Sequence, residues 1–166
     1  MLKPAELLLE YISLFTDETL PGPILDMASG DGHNGIFLAQ RHLPVICCDK
    51  SRDTLDRARR LAAQYGVTIT LWQVDLEREG IDPLPQESYG GILVFRYLHR
   101  PLIPSIRKAL RKGGILIYET FTVEQPKYIR EASKPNSSKW ASLSARRKEG
   151  AFMGKGNDDK TKIKPI

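Results

Sequence analysis

Five short apolar runs set the grammar of the first 121 residues of this 166-residue chain. They are ILDMA (24–28), PVICCD (44–49), VTITLWQVD (67–75), GGILVF (90–95) and GILIYETF (114–121). None alternates cleanly between apolar and polar positions, so each reads as a strand buried on both faces. Segments with helical spacing lie between them. After the second run, Ser51 is positioned as an N-cap, and Leu55, Ala58, Leu61, Ala62 and Tyr65 form an apolar stripe that Gly66 ends. Leu102, Ile103, Ile106 and Leu110 mark another helix, with Lys108, Arg111 and Lys112 in its last turn and Gly113 as its stop. Ahead of the first run, Leu7, Leu8, Tyr11, Ile12 and Phe15 recur at helical spacing, and Ile36, Phe37 and Leu38 open a short helix after it. Strands alternating with helices predict a doubly wound α/β domain with a mostly parallel sheet. Ligands of such sheets bind at the carboxyl ends of the strands.

Composition narrows the class. Hydrophobic residues make up 41% and charged residues 27%, ordinary for a globular chain long enough to bury one core. No apolar run approaches the roughly 18–20 residues of a membrane span. Residues 1–15 carry one early lysine and are interrupted by Glu6 and Glu10, which is not the pattern of a signal peptide. The adjacent Cys47 and Cys48 form no C-x-x-C pattern and read as reduced thiols on a buried strand, as expected of a cytoplasmic protein. The net charge of +5 belongs to the tail. Residues 1–121 hold 14 Lys/Arg and 15 Asp/Glu, a balance of −1, whereas residues 122–166 hold 11 and 5, a balance of +6. A near-neutral body argues against a nucleic-acid partner. The tail, rich in Ser, Lys, Gly and Asn and without sustained period, reads as a flexible basic segment over 126–166, following a folded domain over 1–125.

The chemistry concentrates after the first run. Gly30, Gly32 and Gly35 have the spacing G-x-G-x-x-G, Asp49 ends the second strand, and Asp75 ends the third. Asp49 is placed to accept hydrogen bonds from two ribose hydroxyls, a task common to nicotinamide and adenosyl-sulfonium sites. Asp26 separates the two. A carboxylate beside a pyrophosphate is repulsive in a partly dry site, whereas one beside an ammonium and a sulfonium is attractive.

The ordered set of motifs resembles the class I S-adenosylmethionine-dependent methyltransferases. Residues 26–32 (DMASGDG) are similar to their first motif, Asp49 to their ribose-binding acid, and VDLE (74–77) to their adenine-contacting stretch. GDGHNGIFLA (30–39) further resembles the tellurite-resistance-type subgroup. The resemblance covers residues 5–125 and implies a Rossmann-like fold with S-adenosyl-L-methionine as cofactor. It implies cofactor contacts at Asp26, Ala28, Gly30, Gly32, Asn34, Asp49, Lys50, Asp75, Leu76 and Arg96. The segment RYLHRP (96–101) follows the fourth strand, where the family places residues beside the transferred methyl, so Arg96, Tyr97 and His99 are the catalytic candidates. Glu119, ending the fifth strand, faces the same mouth. No His/Cys/Asp cluster has metal-ligand spacing.

Ala28 stands where many members carry the first glycine of the loop, and Gly90 and Gly91 open the fourth strand where an acid is common. The family adds a helix and two further strands, the last antiparallel, and nothing after Phe121 supplies them, as in a truncated or frameshifted end. The expected activity is methyl transfer by in-line displacement at carbon, sustained by positioning and desolvation, to a small-molecule acceptor. Two alternatives stand beside it. One is a nicotinamide-dependent oxidoreductase, supported by the glycine spacing and Asp49. The other is a truncated, non-catalytic adenosyl-ligand-binding protein.

Overall fold

Parallel strands form where the sequence places its apolar runs: β1 (Ile24–Met27), β2 (Val45–Asp49), β3 (Thr70–Gln73), β4 (Tyr89–Phe95) and β5 (Leu110–Thr120). The structure is a computed structural model that describes residues 1–16 and 20–120, together with the backbone of strands at 141–146, 151–155 and 162–165. The spatial order begins β3-β2-β1-β4-β5, so the chain reverses its direction of travel between β1 and β4. Their carboxyl ends lie level, with Met27 opposite Val94, and the crevice above that pair is where a doubly wound sheet holds its ligand.

Helices cover both faces. On one side lie α1 (Glu6–Glu10), α2 (Ser13–Thr16), α3 (His33–Ala39) and α4 (Arg52–Gln64). Leu7, Leu8, Phe15, Leu38, Leu93, Ile115 and Ile117 pack together there. On the other side a 3-10 turn (Arg100–Leu102) leads into α5 (Ile103–Ala109), and Leu102, Ile106, Ala109 and Leu110 meet Leu25, Met27, Val94 and Tyr118. Cys47 belongs to the first cluster and Cys48 to the second, because successive strand residues point to opposite faces. Both thiols are free and buried, and burial pushes both up from the ordinary thiol range.

Several boundaries shift from the sequence expectation. The amphipathic start splits into two short helices. Ser51 does cap α4, its Oγ accepting the Thr54 N–H at 3.3 Å, but Leu61 and Tyr65 are only partly buried. The last helix stops at Ala109, not at Gly113, because Leu110 already pairs with Tyr89 in the sheet. The Arg111 guanidinium then ties that corner to the carbonyls of Glu87 and Pro21. β3 is shorter than its apolar run and half exposed, as befits the strand at the sheet's edge.

The sheet also continues past the fifth strand, against the expectation that nothing there supplies one. β6 (Ala141–Arg146) pairs antiparallel with β5, from Thr120 opposite Ala141 to Ile115 opposite Arg146, and β7 (Ala151–Lys155) and β8 (Lys162–Pro165) follow as an antiparallel meander. Backbone ladders need no apolar period, which is why short segments interrupted by Ser, Gly and Lys gave no signal. The expectation of a flexible tail otherwise falls on residues outside those described.

One glycine fixes how closely α3 lies on the sheet. A Cβ on Gly35 would collide with Cys47 Sγ and approach Val45 to 3.1 Å, and both neighbours are buried. Gly35→Ala is therefore expected to destabilise the fold by about 1–3 kcal/mol through overpacking. Urea denaturation of the two proteins measures it, and equal midpoints would show that the helix can lift without cost.

Candidate cofactor site at the switch between β1 and β4

The loop leaving β1 is built from left-handed residues at alternate positions: Ala28 (φ 49°), Gly30 (φ 56°) and Gly32 (φ 77°). Two glycines adopt that geometry freely, whereas Ala28 does so at a cost of about 1–2 kcal/mol. Backbone bonds hold the turn. Ser29 N–H donates to the Cys48 carbonyl at 2.9 Å and Gly32 N–H to the Ser29 carbonyl at 3.0 Å. Nothing lies within 4 Å of where a Gly30 Cβ would project, so the loop's crest faces open space.

Asp49, at the end of β2, is tied directly to that loop. Its Oδ2 accepts the Gly30 N–H at 3.1 Å, and its Oδ1 accepts the Ser51 N–H at 2.9 Å at the start of α4. The carboxylate is half-buried, and each oxygen keeps a second lone pair. The two sequence readings of this residue, helix start and diol acceptor, are thus compatible in one side chain. Asp75 lies two residues beyond β3, level with Asp49 because Val74 N–H donates to the Asp49 carbonyl at 3.1 Å. It is exposed and accepts the Glu77 N–H at 3.0 Å. Leu76, next along, is buried among the α5-side residues, and Lys50 is exposed.

Asp26 is not where a ligand-facing acid would be. It is 1% exposed, and its Oδ2 accepts the Gly35 N–H at 3.0 Å beneath the loop. Burial, assisted by the charge of Asp49, raises its carboxyl to about 7. Asp26 therefore braces α3 against β1 and acts on the crevice only through its field. Asn34 also has a structural partner: its Oδ1 accepts the Ala5 N–H at 2.8 Å, while His33 Nδ1 accepts the Lys3 N–H at 3.3 Å. The N-terminal segment is thereby pinned across the first turn of α3. No local pattern in residues 3–5 signals this, since the two bonds span about thirty positions of sequence.

The residues after β4 diverge. Arg96 is exposed and left-handed (φ 57°), with its N–H donating to the Glu119 carbonyl at 2.8 Å, so it stands at the crevice rim. The Tyr97 hydroxyl is buried beside the Glu77 carboxylate. Burial and the nearby Glu77 hold its phenol well above the ordinary range, so the hydroxyl stays neutral and keeps its proton. His99 lies farther along and lines a cavity of about 430 Å³ with Leu76, Glu77, Asp82, Pro101 and Ser105. The glycine loop does not line that cavity. Arg96, Tyr97 and His99 thus do not converge on one point. Among the described residues no group of three His, Cys, Asp or Glu could hold a metal.

A phosphate-free nucleoside fits these residues better than a dinucleotide. The loop has open space over Gly30 and a half-buried acid with free lone pairs beside it, as a ribose diol requires. Residues 28–35 contain no Lys or Arg, Asp31 on the loop is paired with Arg57 at 2.8 Å, and Asp26 lies below. A pyrophosphate there would lie beside Asp49 and above the buried Asp26, with no cation of the loop itself to offset them.

Residues 24–114 match a protein family described as "Methyltransferase domain". The chain belongs to this methyltransferase family. The match agrees with the resemblance carried by the motifs and does not single out the tellurite-resistance-type subgroup. An uncharacterized methyltransferase of Bacillus subtilis, YodH, is 29% identical over 108 residues, 63% of this chain and 45% of that protein. The Escherichia coli tRNA 5-carboxymethoxyuridine methyltransferase is 26% identical over 98 residues, 56% of this chain and 38% of that protein. The chain spans less than half the length of either relative. Among solved structures, the PH0226 protein of Pyrococcus horikoshii superposes with a TM-score of 0.60 at 15% identity, covering 95% of this chain and 72% of that one, a likeness of fold. Among the described residues no helix is long and apolar enough to cross a membrane.

Proposed function

We propose that this methyltransferase-family chain binds S-adenosyl-L-methionine along the carboxyl edge of β1, β2, β3 and β4 and serves methyl transfer to a small-molecule acceptor. The observation that carries the reading is the bond from Gly30 N–H to Asp49 Oδ2, which makes the loop and the diol acceptor one unit. Asp49 would take the ribose hydroxyls, and Asp75, with Lys50 and Leu76 beside it, the adenine edge. Ala28, Gly30 and Gly32 would let the backbone approach, and Asn34 and Arg96 would bound the methionine end. When bound, the cofactor supplies an electrophilic methyl on a cationic sulfur. The protein's part is to hold that end against the rim and exclude water from it, so that orientation supplies most of the rate. His99, in its separate cavity, and the buried Tyr97 hydroxyl have no part at this rim.

A small acceptor is favoured by charge. Residues 75–82 present Asp75, Glu77, Glu79 and Asp82 against one cation, Arg78, and a polyanion would be repelled beside the site. The relative that acts on tRNA favours the opposite choice, and incubation with labelled cofactor and bulk tRNA distinguishes them. Incorporation of label into RNA would overturn the small-molecule acceptor. Calorimetry tests the cofactor: S-adenosylmethionine or S-adenosylhomocysteine should bind, and NAD should bind more weakly. Tighter binding of NAD would sink the methyltransferase assignment of the site.

A further inference from the structure

The chain ahead of α1 crosses the mouth of the crevice. Different elements fix the two ends of that crossing. At one end, Ala5 N–H donates to Asn34 Oδ1 at 2.8 Å and Lys3 N–H to His33 Nδ1 at 3.3 Å. Residues 3–5 therefore lie on the first turn of α3, directly after the glycine loop. At the other end stands Glu6, the first residue of α1. Burial raises the Glu119 carboxyl, with Arg96 opposing the rise and Glu6 adding to it, so Glu6 stands near the end of β5. Leu7 and Leu8 then bury against Leu93 of β4 and Ile115 and Ile117 of β5. The strand order places β4 between β1 and β5, a gap of about 10 Å that two adjacent residues and their side chains can bridge. The chain thus passes over the carboxyl end of β4, on the α1 side of the crevice.

The two halves of this crossing are held unequally. Buried leucines anchor α1, whereas Met1 and Lys3 are exposed and Leu2, Pro4 and Ala5 are half-buried. Residues 3–5 are tied to α3 by main-chain N–H groups on two side-chain acceptors, one bond of ordinary length and one long and exposed. A segment with so few buried contacts opens far more readily than the fold unfolds. Ala5 precedes α1 in an extended conformation (φ −63°, ψ 141°), so the residues before it can move without unwinding the helix.

We infer that residues 2–5 form a strap across the crevice, latched by Asn34 and His33, that opens for the cofactor to exchange. The inference rests on the cofactor reading above and adds a gate to that site. A strap that is closed most of the time slows entry and departure by the same factor, because both await the same opening. Affinity then hardly depends on it, which separates a gate from a fixed wall of the site.

Ala5→Pro tests the latch with little else altered. Proline fixes φ near the value that Ala5 already has, and it removes the N–H that Asn34 accepts. His33→Ala removes the weaker tie from the other side, with a residue that suits a helix. Surface plasmon resonance on the full chain reads association and dissociation rates of S-adenosylhomocysteine. Both rates should rise together, by about three- to tenfold in Ala5→Pro and by less in His33→Ala, with the Kd within about twofold of the native value. Exchange of the Lys3 amide hydrogen should quicken in Ala5→Pro as well, since the two bonds close one segment. Unchanged rates in both variants would overturn the strap and leave residues 2–5 as a structural tie. Faster dissociation alone, with a matching loss of affinity, would overturn it too and make the segment a fixed wall. The cofactor reading stands in either case. If the native protein does not bind S-adenosylhomocysteine, both fall. Melting temperatures establish that each variant is folded, and His33→Ala decides the question by itself should Ala5→Pro not fold.

Discussion

Replacing Asp49 with alanine should weaken binding of S-adenosylhomocysteine by about 30- to 150-fold, or roughly 2–3 kcal/mol. Two losses add. The ligand's diol loses a charged acceptor, and the loop loses the bond that holds Gly30 N–H at 3.1 Å, so the crest is no longer organised before the ligand arrives. The Ser51 N–H at the start of α4 is left unpaired as well, which lowers stability by about 1 kcal/mol. Asp49→Asn should lose less affinity. Its amide oxygen can still accept one of the two backbone bonds, but its nitrogen cannot accept the other and carries no charge. Calorimetry with S-adenosylhomocysteine, alongside thermal melts, resolves the two contributions. An Asp49→Ala protein that melts lower but binds as tightly would reduce Asp49 to a brace between loop and helix.

What the sequence disclosed and what it hid follow from the range of the interactions involved. The five strands were legible because burial on both faces leaves an unbroken apolar run, and Gly30, Gly32 and Asp49 were legible because they follow such runs directly. Asp26 misled because it also lies in a run. In β1, flanked by β2 on one side and β4 on the other, a residue one position before the strand's end sits under the covering helix and not at the open edge. Its partner, Gly35 N–H, is nine positions away and cannot be foreseen from spacing. The separation of His99 from the glycine loop was hidden for a similar reason. The 3-10 turn carries it to the α5 side, and four residues of loop look alike in sequence whichever face they descend. The antiparallel extension of β5 escaped because backbone pairing asks nothing of side-chain periodicity.

The buried acid yields the second large effect. Asp26 rises from an ordinary value of 3.8 to about 7 in the folded protein, chiefly because burial disfavours its charged form. Between those values the folded state holds a proton that the unfolded chain releases, so stability falls as pH rises through this window. Below it both states are protonated and the group costs nothing. Above it both are ionised, and the native state bears the full cost of a buried charge, on the order of 4 kcal/mol at about 1.4 kcal/mol per pKa unit. Asp26→Asn removes the titration while keeping an oxygen to accept the Gly35 N–H. The stability of the native protein relative to this variant should therefore decline steadily from pH 4 to pH 7 and then level. Urea denaturation at half-unit pH intervals reads the difference, in which other titrating groups cancel to the extent that they do not interact with Asp26. Parallel curves across that range would mean that the carboxyl ionises as easily in the folded protein as in the unfolded one. The same measurement bears on the ligand. A bound cation near the loop would favour ionised Asp26, so a cationic sulfonium ligand should stabilise the native protein more, relative to the Asn variant, than its neutral thioether counterpart does.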